Sequence, residues 1–298
     1  MIRPPRLHPG DTVALVAPAG PLQREEFAEG LARIGKRYRL KVDEGLFARE
    51  GYLAGDDARR IDEFLRAMRD PEIKAVFCAR GGYGAMRLLP DLDAAFGAGR
   101  KPVVGFSDIT VVHAVAFKAG GTSLHAPTVN HLGKLPTMMA EELFALLESP
   151  APPGPWTGLQ KLSTGCATGL AIGGNLELVS RLLGTPWSWP FEDNVLFLED
   201  IGERPYRIDR SLTQLELAGA NQVAAVVVGE LTRCLEPDGS GPRAEEVVAE
   251  RLRRWNVPVL VGAPFGHGQI NRPFPLGGRV AVDAGGGTVT FLDGAVAE

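Results

Sequence analysis

The sequence predicts an α/β protein with a mostly parallel sheet in its N-terminal part and a second, smaller α/β domain after it. Three observations carry this expectation. Over the first 130 residues, short apolar runs of strand length alternate with longer segments whose apolar residues recur at helical spacing. Residues 149–165, SPAPPGPWTGLQKLSTG, then break the pattern with four prolines and three glycines and read as a linker. Beyond them the alternation resumes. The expected boundaries are 1–148 for the first domain, 149–165 for the linker and 166–298 for the second domain.

Taken in order, TVALVAP (12–18) is a buried-strand run closed by Pro18 and Gly20. Within 24–38, Phe27, Leu31 and Ile34 fall on one helical stripe, and within 56–70, Ile61, Leu65 and Met68 do the same. IKAVFCA (73–79), PVVGF (102–106) and TSLHAP (122–127) are further strands, with a helical pattern over 109–117 between the last two. Strands separated by helices of this length form βαβ units, which pair in parallel. After the linker come a helix near 174–184, a strand at 194–200 and a helix at 205–219. A strand at 222–231, a helix at 242–255 and a strand at 257–264 follow. RVAVDA (279–284) and GTVTFLD (287–293) finish the chain as short strands, and there is no internal repeat or low-complexity tail.

Of the 298 residues, 45% are hydrophobic and 23% charged, enough apolar material for a sizeable core. A net charge of −4 lacks the basic footprint of a nucleic-acid binder. Arg251, Arg253 and Arg254 lie on a helical pattern and read as a solvated face. Cys78, Cys166 and Cys234 are odd in number and far apart, so they offer neither a CxxC metal spacing nor a disulfide framework. No metal or cofactor is expected, and a reducing compartment is. The opening MIRPPRLHPGD puts prolines and charges where a signal peptide needs an apolar core. No run of about 18 apolar residues suggests a membrane span. Cytoplasm is the expected location.

In open parallel sheets, ligands bind beyond the carboxyl ends of the strands. That rule selects RGGYGAMR after the strand at 73–79, GFSD after 102–104, LEDIGE after 195–198 and PFGHGQ after 257–262. Ser107 stands where a strand turns directly into a helix. Serine is a weak nucleophile that needs a base, and the base needs an orienting acid. Gly105 permits close packing at the bend. The Asp108 N–H opens the helix, has no intrahelical partner and suits a developing oxyanion. GFSD is not the GxSxG of α/β-hydrolases. Either Ser107 or Asp108 could simply cap the helix, and these residues alone favour that reading.

His267, between Gly266 and Gly268 just past a buried strand, is the best base among the five histidines. His8 lies near the terminus, His113 inside the helix after Ser107, His125 at a strand end and His131 in a polar loop. A carboxylate closing the apolar run 195–198 is costly to bury unless partnered, and an imidazole N–H is a suitable partner. Glu199, Asp200 and Glu203 all compete for it, the last two also as favourable charges at a helix start. Residues 80–84, RGGYG, place two glycines after a strand, as an oxyanion donor at Gly81 or Gly82 or as a phosphate-cradling turn. The segment lacks both GxGxxG order and a P-loop lysine, which weakens the nucleotide reading.

These segments together resemble the LD-carboxypeptidases, serine peptidases that include muramoyl-tetrapeptide carboxypeptidases and microcin-immunity peptidases. The matching stretches are VALVAPAGP (13–21), ARGGYGAMRLLP (79–90), VVGFSDIT (103–110), GGNLELVSRLLGTPW (173–187), LFLEDIGERPYRIDRSLTQL (196–215) and PFGHGQ (264–269). They cover nearly the whole chain in the family's order. The resemblance implies a Rossmann-like N-terminal domain and a swivelling C-terminal domain. It implies a triad of Ser107, Glu199 and His267 divided between them, which settles the carboxylate on Glu199. It also implies oxyanion donors at the backbone of Asp108 and of Gly81 or Gly82, and a homodimer.

The function expected on this basis is a metal-free serine carboxypeptidase acting on a small peptide, the murein tetrapeptide, from which it releases a terminal D-alanine. Arg80, Tyr83 and Arg204 are candidates for substrate binding, the arginines for the free carboxylate. A microcin-type immunity peptidase cleaving a peptidyl-nucleotide is the close alternative, with Trp187 and Trp189 available to a nucleobase. A non-catalytic nucleotide- or sugar-binding module built on RGGYG is the alternative of another class.

Overall fold

The computed structural model describes residues 1–96 and 101–298. The chain begins with β1 (Thr12–Val16), α1 (Arg24–Gly35), β2 (Arg39–Val42), α2 (Asp57–Arg69) and β3 (Ile73–Cys78). It continues with α3 (Leu89–Phe96), β4 (Val103–Gly105), α4 (Thr110–Lys118), β5 (Ser123–His125), α5 (Val129–Leu132) and α6 (Thr137–Glu148). Then come β6 (Gln160–Ser163), β7 (Cys166–Asn175), α7 (Leu176–Arg181), β8 (Val195–Ile201), α8 (Pro205–Leu217) and β9 (Ala225–Thr232). The last elements are α9 (Ala244–Leu252), β10 (Val259–Val261), β11 (Phe274–Leu276), β12 (Arg279–Asp283) and β13 (Thr288–Phe291).

Two compact units result. The first comprises Met1–Pro152, Arg272–Gly277 and Gly294–Glu298. Its sheet has the order β11-β5-β4-β3-β1-β2, parallel throughout except for β11, which runs antiparallel to β5. The order reverses beside β1, and sheets of this kind place their ligands at such a point, here beyond the carboxyl ends of β1 and β3. Leu15, Phe77 and Val104 from the strands share one core with Phe27 and Ile34 of α1 and Leu143 and Leu147 of α6. The second unit comprises Pro153–Asn271 and Gly278–Asp293. Its sheet has the order β13-β12-β7-β8-β9-β10-β6. The run β7-β8-β9-β10 is parallel, and antiparallel strands close both edges. The α/β expectation with parallel-rich sheets is met in both units.

Several features differ from the sequence reading, α6 among them, for which it gave no helix. The chain does not stay in the second unit once it has crossed over. β11 returns to complete the first sheet and Val296 returns to its core, so neither 1–148 nor 166–298 is a contiguous folding unit. The proline-rich stretch is not a free linker either. It supplies β6, which pairs with β10, and Trp156, which exchanges two backbone hydrogen bonds with Val289. β2 gives no sequence signal, because Arg39–Val42 is a polar edge strand with no apolar run. On α2, Ile61 and Leu65 are only half-buried, and the buried face is Arg60, Glu63, Phe64, Ala67 and Met68. That face carries two charged groups into the interior, which apolar periodicity cannot register.

Trp156 is 2% exposed, and its ring centroid lies 5.8 Å from Phe265 and 4.9 Å from Phe291. Phe197 completes the cluster, which underlies the carboxyl ends of β8 and of the chain after β10. Replacing Trp156 with alanine is expected to destabilise the fold by about 3–5 kcal/mol, the usual cost of emptying a buried aromatic site. Chemical denaturation monitored by circular dichroism checks this value.

Candidate active site

The serine loop is built in the first unit. β4 ends at Gly105, in register with His125 of β5. A Cβ at position 105 would lie 2.9 Å from the Ile109 side chain, so only glycine lets the turn close. Phe106 is extended, and Ser107 then takes φ = 65°. A non-glycine residue in this region costs on the order of 1–3 kcal/mol and persists only where its surroundings over-determine it. His113 contributes to that. It is fully buried and bonds the Gly105 carbonyl through Nε2 at 2.9 Å, which makes Nε2 the protonated nitrogen. Burial depresses its imidazole to about 4 against the opposing effect of that bond, so it stays a neutral donor.

The helix-cap reading does not hold in detail. Residues Ser107–Ile109 form a 3₁₀ turn before α4, and no side chain caps either element. The Asp108 carboxylate turns away to accept the Ala85 N–H at 2.8 Å. Burial pushes this carboxyl up to about 6, opposed by the Ala85 bond and by the charge of Arg60. Opposite Ser107 stands Gly81. A Cβ there would lie 2.9 Å from Ser107 Cβ and 3.0 Å from its Oγ. Gly82, at φ = 109°, instead backs onto Gly20, so the two glycines have different tasks. The Gly20 N–H donates to the Gly81 carbonyl at 3.0 Å and ties the loop after β1 to the loop after β3.

The acid and the imidazole come together in the second unit. Glu199 lies on β8 beside Asn175 of β7, where the β8–β9 register is interrupted between Leu198 and Asp200. Such irregularities re-aim side chains next to sites. Glu199 is wholly buried, and its Oε2 lies 2.6 Å from His267 Nδ1. Burial lowers the pKa of His267, but the charge and hydrogen bond of Glu199, with Asp200 and Glu230 behind them, outweigh it, and the net shift is upward. Gly266 takes φ = 129°, and its N–H donates to Asn271 Oδ1 at 3.2 Å. The Glu230 carboxylate occupies the place that a Cβ at Gly268 would take, so a side chain there would require Glu230 to move.

The two competing acids have other partners. Asp200 accepts from Glu177 N at 3.0 Å, Ile201 N at 2.8 Å and Asn175 Nδ2 at 2.9 Å. Burial, then the neighbouring Glu199 charge, pushes its carboxyl up to about 7. Glu203 pairs with Arg207 at 3.5 Å. Arg80 is half-buried and donates to the Pro21 carbonyl at 2.6 Å. Tyr83 is 51% exposed and packs edge-to-face on Tyr52. Arg204 is exposed and faces Glu236 at 3.9 Å.

The sequence reading missed Asn175 and Glu230. Asn175 caps α7 through Oδ1, while its Nδ2 lies 2.9 Å from Asp200 and 3.5 Å from Glu199. An asparagine before a helical run is a cap signal, but nothing in one chain reveals that its other end holds two acids. Glu230 sits one residue beyond an apolar strand run, the same signal that marked Glu199.

Residues 13–126 match the LD-carboxypeptidase N-terminal domain, and residues 168–282 match the LD-carboxypeptidase C-terminal domain. A murein tetrapeptide carboxypeptidase from Pseudomonas aeruginosa is 32% identical over 89% of this chain and 91% of its own. The crystal structure of a muramoyltetrapeptide carboxypeptidase from Oxalobacter formigenes is 27% identical, with a TM-score of 0.84 over 96% of this chain and all of that one. The microcin C7 self-immunity protein MccF of Escherichia coli shares the fold, with a TM-score of 0.90 at 22% identity over the full length of both chains.

The buried Glu199 contact makes a direct prediction for the imidazole. Ring NMR titration is expected to place the pKa of His267 above the ordinary 6.5 in the native protein. In Glu199→Gln the largest raising charge is gone while burial remains, so the same titration is expected to give a lower value than in the native protein.

Proposed function

Because this chain belongs to the LD-carboxypeptidase family, we propose that Ser107 is its nucleophile, His267 the base and Glu199 the acid that orients the imidazole. The observation that carries this reading is Ser107 itself, held at φ = 65° at a strand end and pressed against a glycine. Such a turn displays a hydroxyl outward, as a strand-to-helix elbow does.

In this reading Ser107 Oγ attacks the carbonyl of the amide to the last residue, and His267 Nε2 takes its proton. Glu199, on Nδ1, fixes the tautomer and stabilises the imidazolium. The oxyanion is received by the backbone N–H of Asp108 and by that of the 81–82 turn, with Gly81 favoured because it packs on the serine. One such donor is commonly worth about 2.7–4 kcal/mol in the transition state. The imidazolium protonates the leaving amine as the C–N bond breaks. Water then cleaves the acyl-serine with the same base.

The substrate we assign is the murein tetrapeptide, which loses its terminal D-alanine in the cytoplasm during peptidoglycan recycling. The murein tetrapeptide carboxypeptidase among the relatives supports this assignment. Arg80 is the better partner for the free carboxylate, since it adjoins Gly81 and is already oriented by Pro21. The family resemblance supports a homodimer. A peptidyl-nucleotide substrate of the microcin type is the second reading: Trp189 is 3% exposed and would have to repack to offer its face to a base, while Trp187 is half-buried.

Purified protein assayed on L,D- and L,L-linked peptides is expected to release D-alanine from the former, and Ser107→Ala is expected to release none. Equal release by Ser107→Ala contradicts the nucleophile, and release from L,L peptides alone contradicts the substrate. The base must be neutral to act, so kcat/KM is expected to rise with pH through the raised pKa of His267, with its acid limb above 6.5. Arg80→Met is expected to raise KM about 10- to 100-fold, the value of a hydrogen bond to a charged group.

A further inference from the structure

Arg60 of α2 is completely buried, a cost of several kcal/mol that its guanidinium contacts have to offset, and only its two Nη atoms are bonded while Nε is buried without a partner. Its Nη1 donates to the carbonyls of Pro18 and, at 2.8 Å, Gly84, and its Nη2 pairs with Asp57. Pro18 lies in the loop after β1 and Gly84 in the loop after β3. These are the two loops at the carboxyl-end crevice of the first unit. The approach is close: a Cβ on Gly84 would lie 2.8 Å from Arg60 Nη1 and 2.5 Å from Leu53 Cδ2. That contact explains the third glycine of RGGYG, which the oxyanion reading left without a task.

The same loop is held from its other side. Ala85, the next residue, gives its N–H to the Asp108 carboxylate, which is 1% exposed. Asp108 adjoins Ser107 in sequence. The loop that carries Gly81 is thus fastened by a cation at Gly84 and by an anion at Ala85. α2 reinforces the first loop as well, with Glu63 accepting the Ala17 N–H at 2.7 Å and Arg59 donating to the Ala17 carbonyl at 3.3 Å.

We propose that Arg60 and Asp108 are positioning residues that hold the 81–85 loop against Ser107 and thereby set the rate of acyl transfer; this rests on the serine-peptidase reading above. Neither side chain takes part in the chemistry. Together they fix the separation between the serine and the glycine packed on it. A shift of about 1 Å in such a site costs on the order of 100-fold in rate.

The test is steady-state kinetics on the L,D-peptide for Arg60→Lys, Asp108→Ala and Asp108→Asn, with Ser107→Ala alongside and the thermal midpoint of each protein recorded. Lysine keeps the charge but cannot span two carbonyls as a fork does. Arg60→Lys and Asp108→Ala are expected to lose about 10- to 100-fold in kcat, with KM held within about threefold. Asp108→Asn keeps an acceptor for Ala85 and is expected to recover most of the loss seen in Asp108→Ala. Should Asp108→Ala not fold, Arg60→Lys and the Asp108→Asn comparison with native protein decide the matter. The proposal is overturned if folded Arg60→Lys and Asp108 variants turn over at the native kcat. It is equally overturned if their loss matches the fall in folded fraction. An active Ser107→Ala contradicts the peptidase reading itself, whereas an inactive Ser107→Ala beside fully active Arg60 and Asp108 variants contradicts only the positioning role.

Discussion

A serine forced into the left-handed region at the end of a buried strand is the constraint on which the first unit depends. Strain of about 1–3 kcal/mol has to be met by neighbours that leave no alternative. Gly105 lets the turn close on Ile109, His113 pins the last carbonyl of β4, and Gly81 keeps the opposite wall free of a side chain. Each of these is a backbone or packing requirement. Their joint effect is a hydroxyl displayed beyond a parallel sheet, where such folds place their ligands.

The second unit solves an electrostatic problem. It brings Glu199, Asp200 and Glu230 close to one imidazole, two of the three acids being buried. Asn175 and the start of α7 absorb Asp200, whose carboxyl rises to about 7, and this leaves Glu199 as the partner of His267. A buried carboxylate without such a partner is strongly disfavoured. The aromatic cluster of Trp156, Phe197 and Phe265 then fixes the backbone on which the acid and the base ride.

Much of this was legible in the sequence because apolar runs end abruptly at residue types capable of chemistry. Val195–Ile201 and Val103–Gly105 are strands whose ends are marked by acid or serine, and glycines flank His267. Choosing Glu199 over Asp200 was beyond the residues alone, since both follow the same run and only tertiary partners separate them. Arg60 and Glu63 escaped for a related reason. Charged residues on a helix read as solvated, and only the fold shows that α2 turns them toward strand-end loops. The return of β11 to the first sheet is equally invisible, because a three-residue strand carries no periodicity.

The central claim is that Ser107 is a nucleophile activated through His267. Peptide mapping after reaction with a serine-directed phosphonate tests it most directly. One adduct on Ser107 is predicted, absent in Ser107→Ala and formed much more slowly in Glu199→Gln. An adduct on a different residue, or an active protein that forms none, would contradict the account.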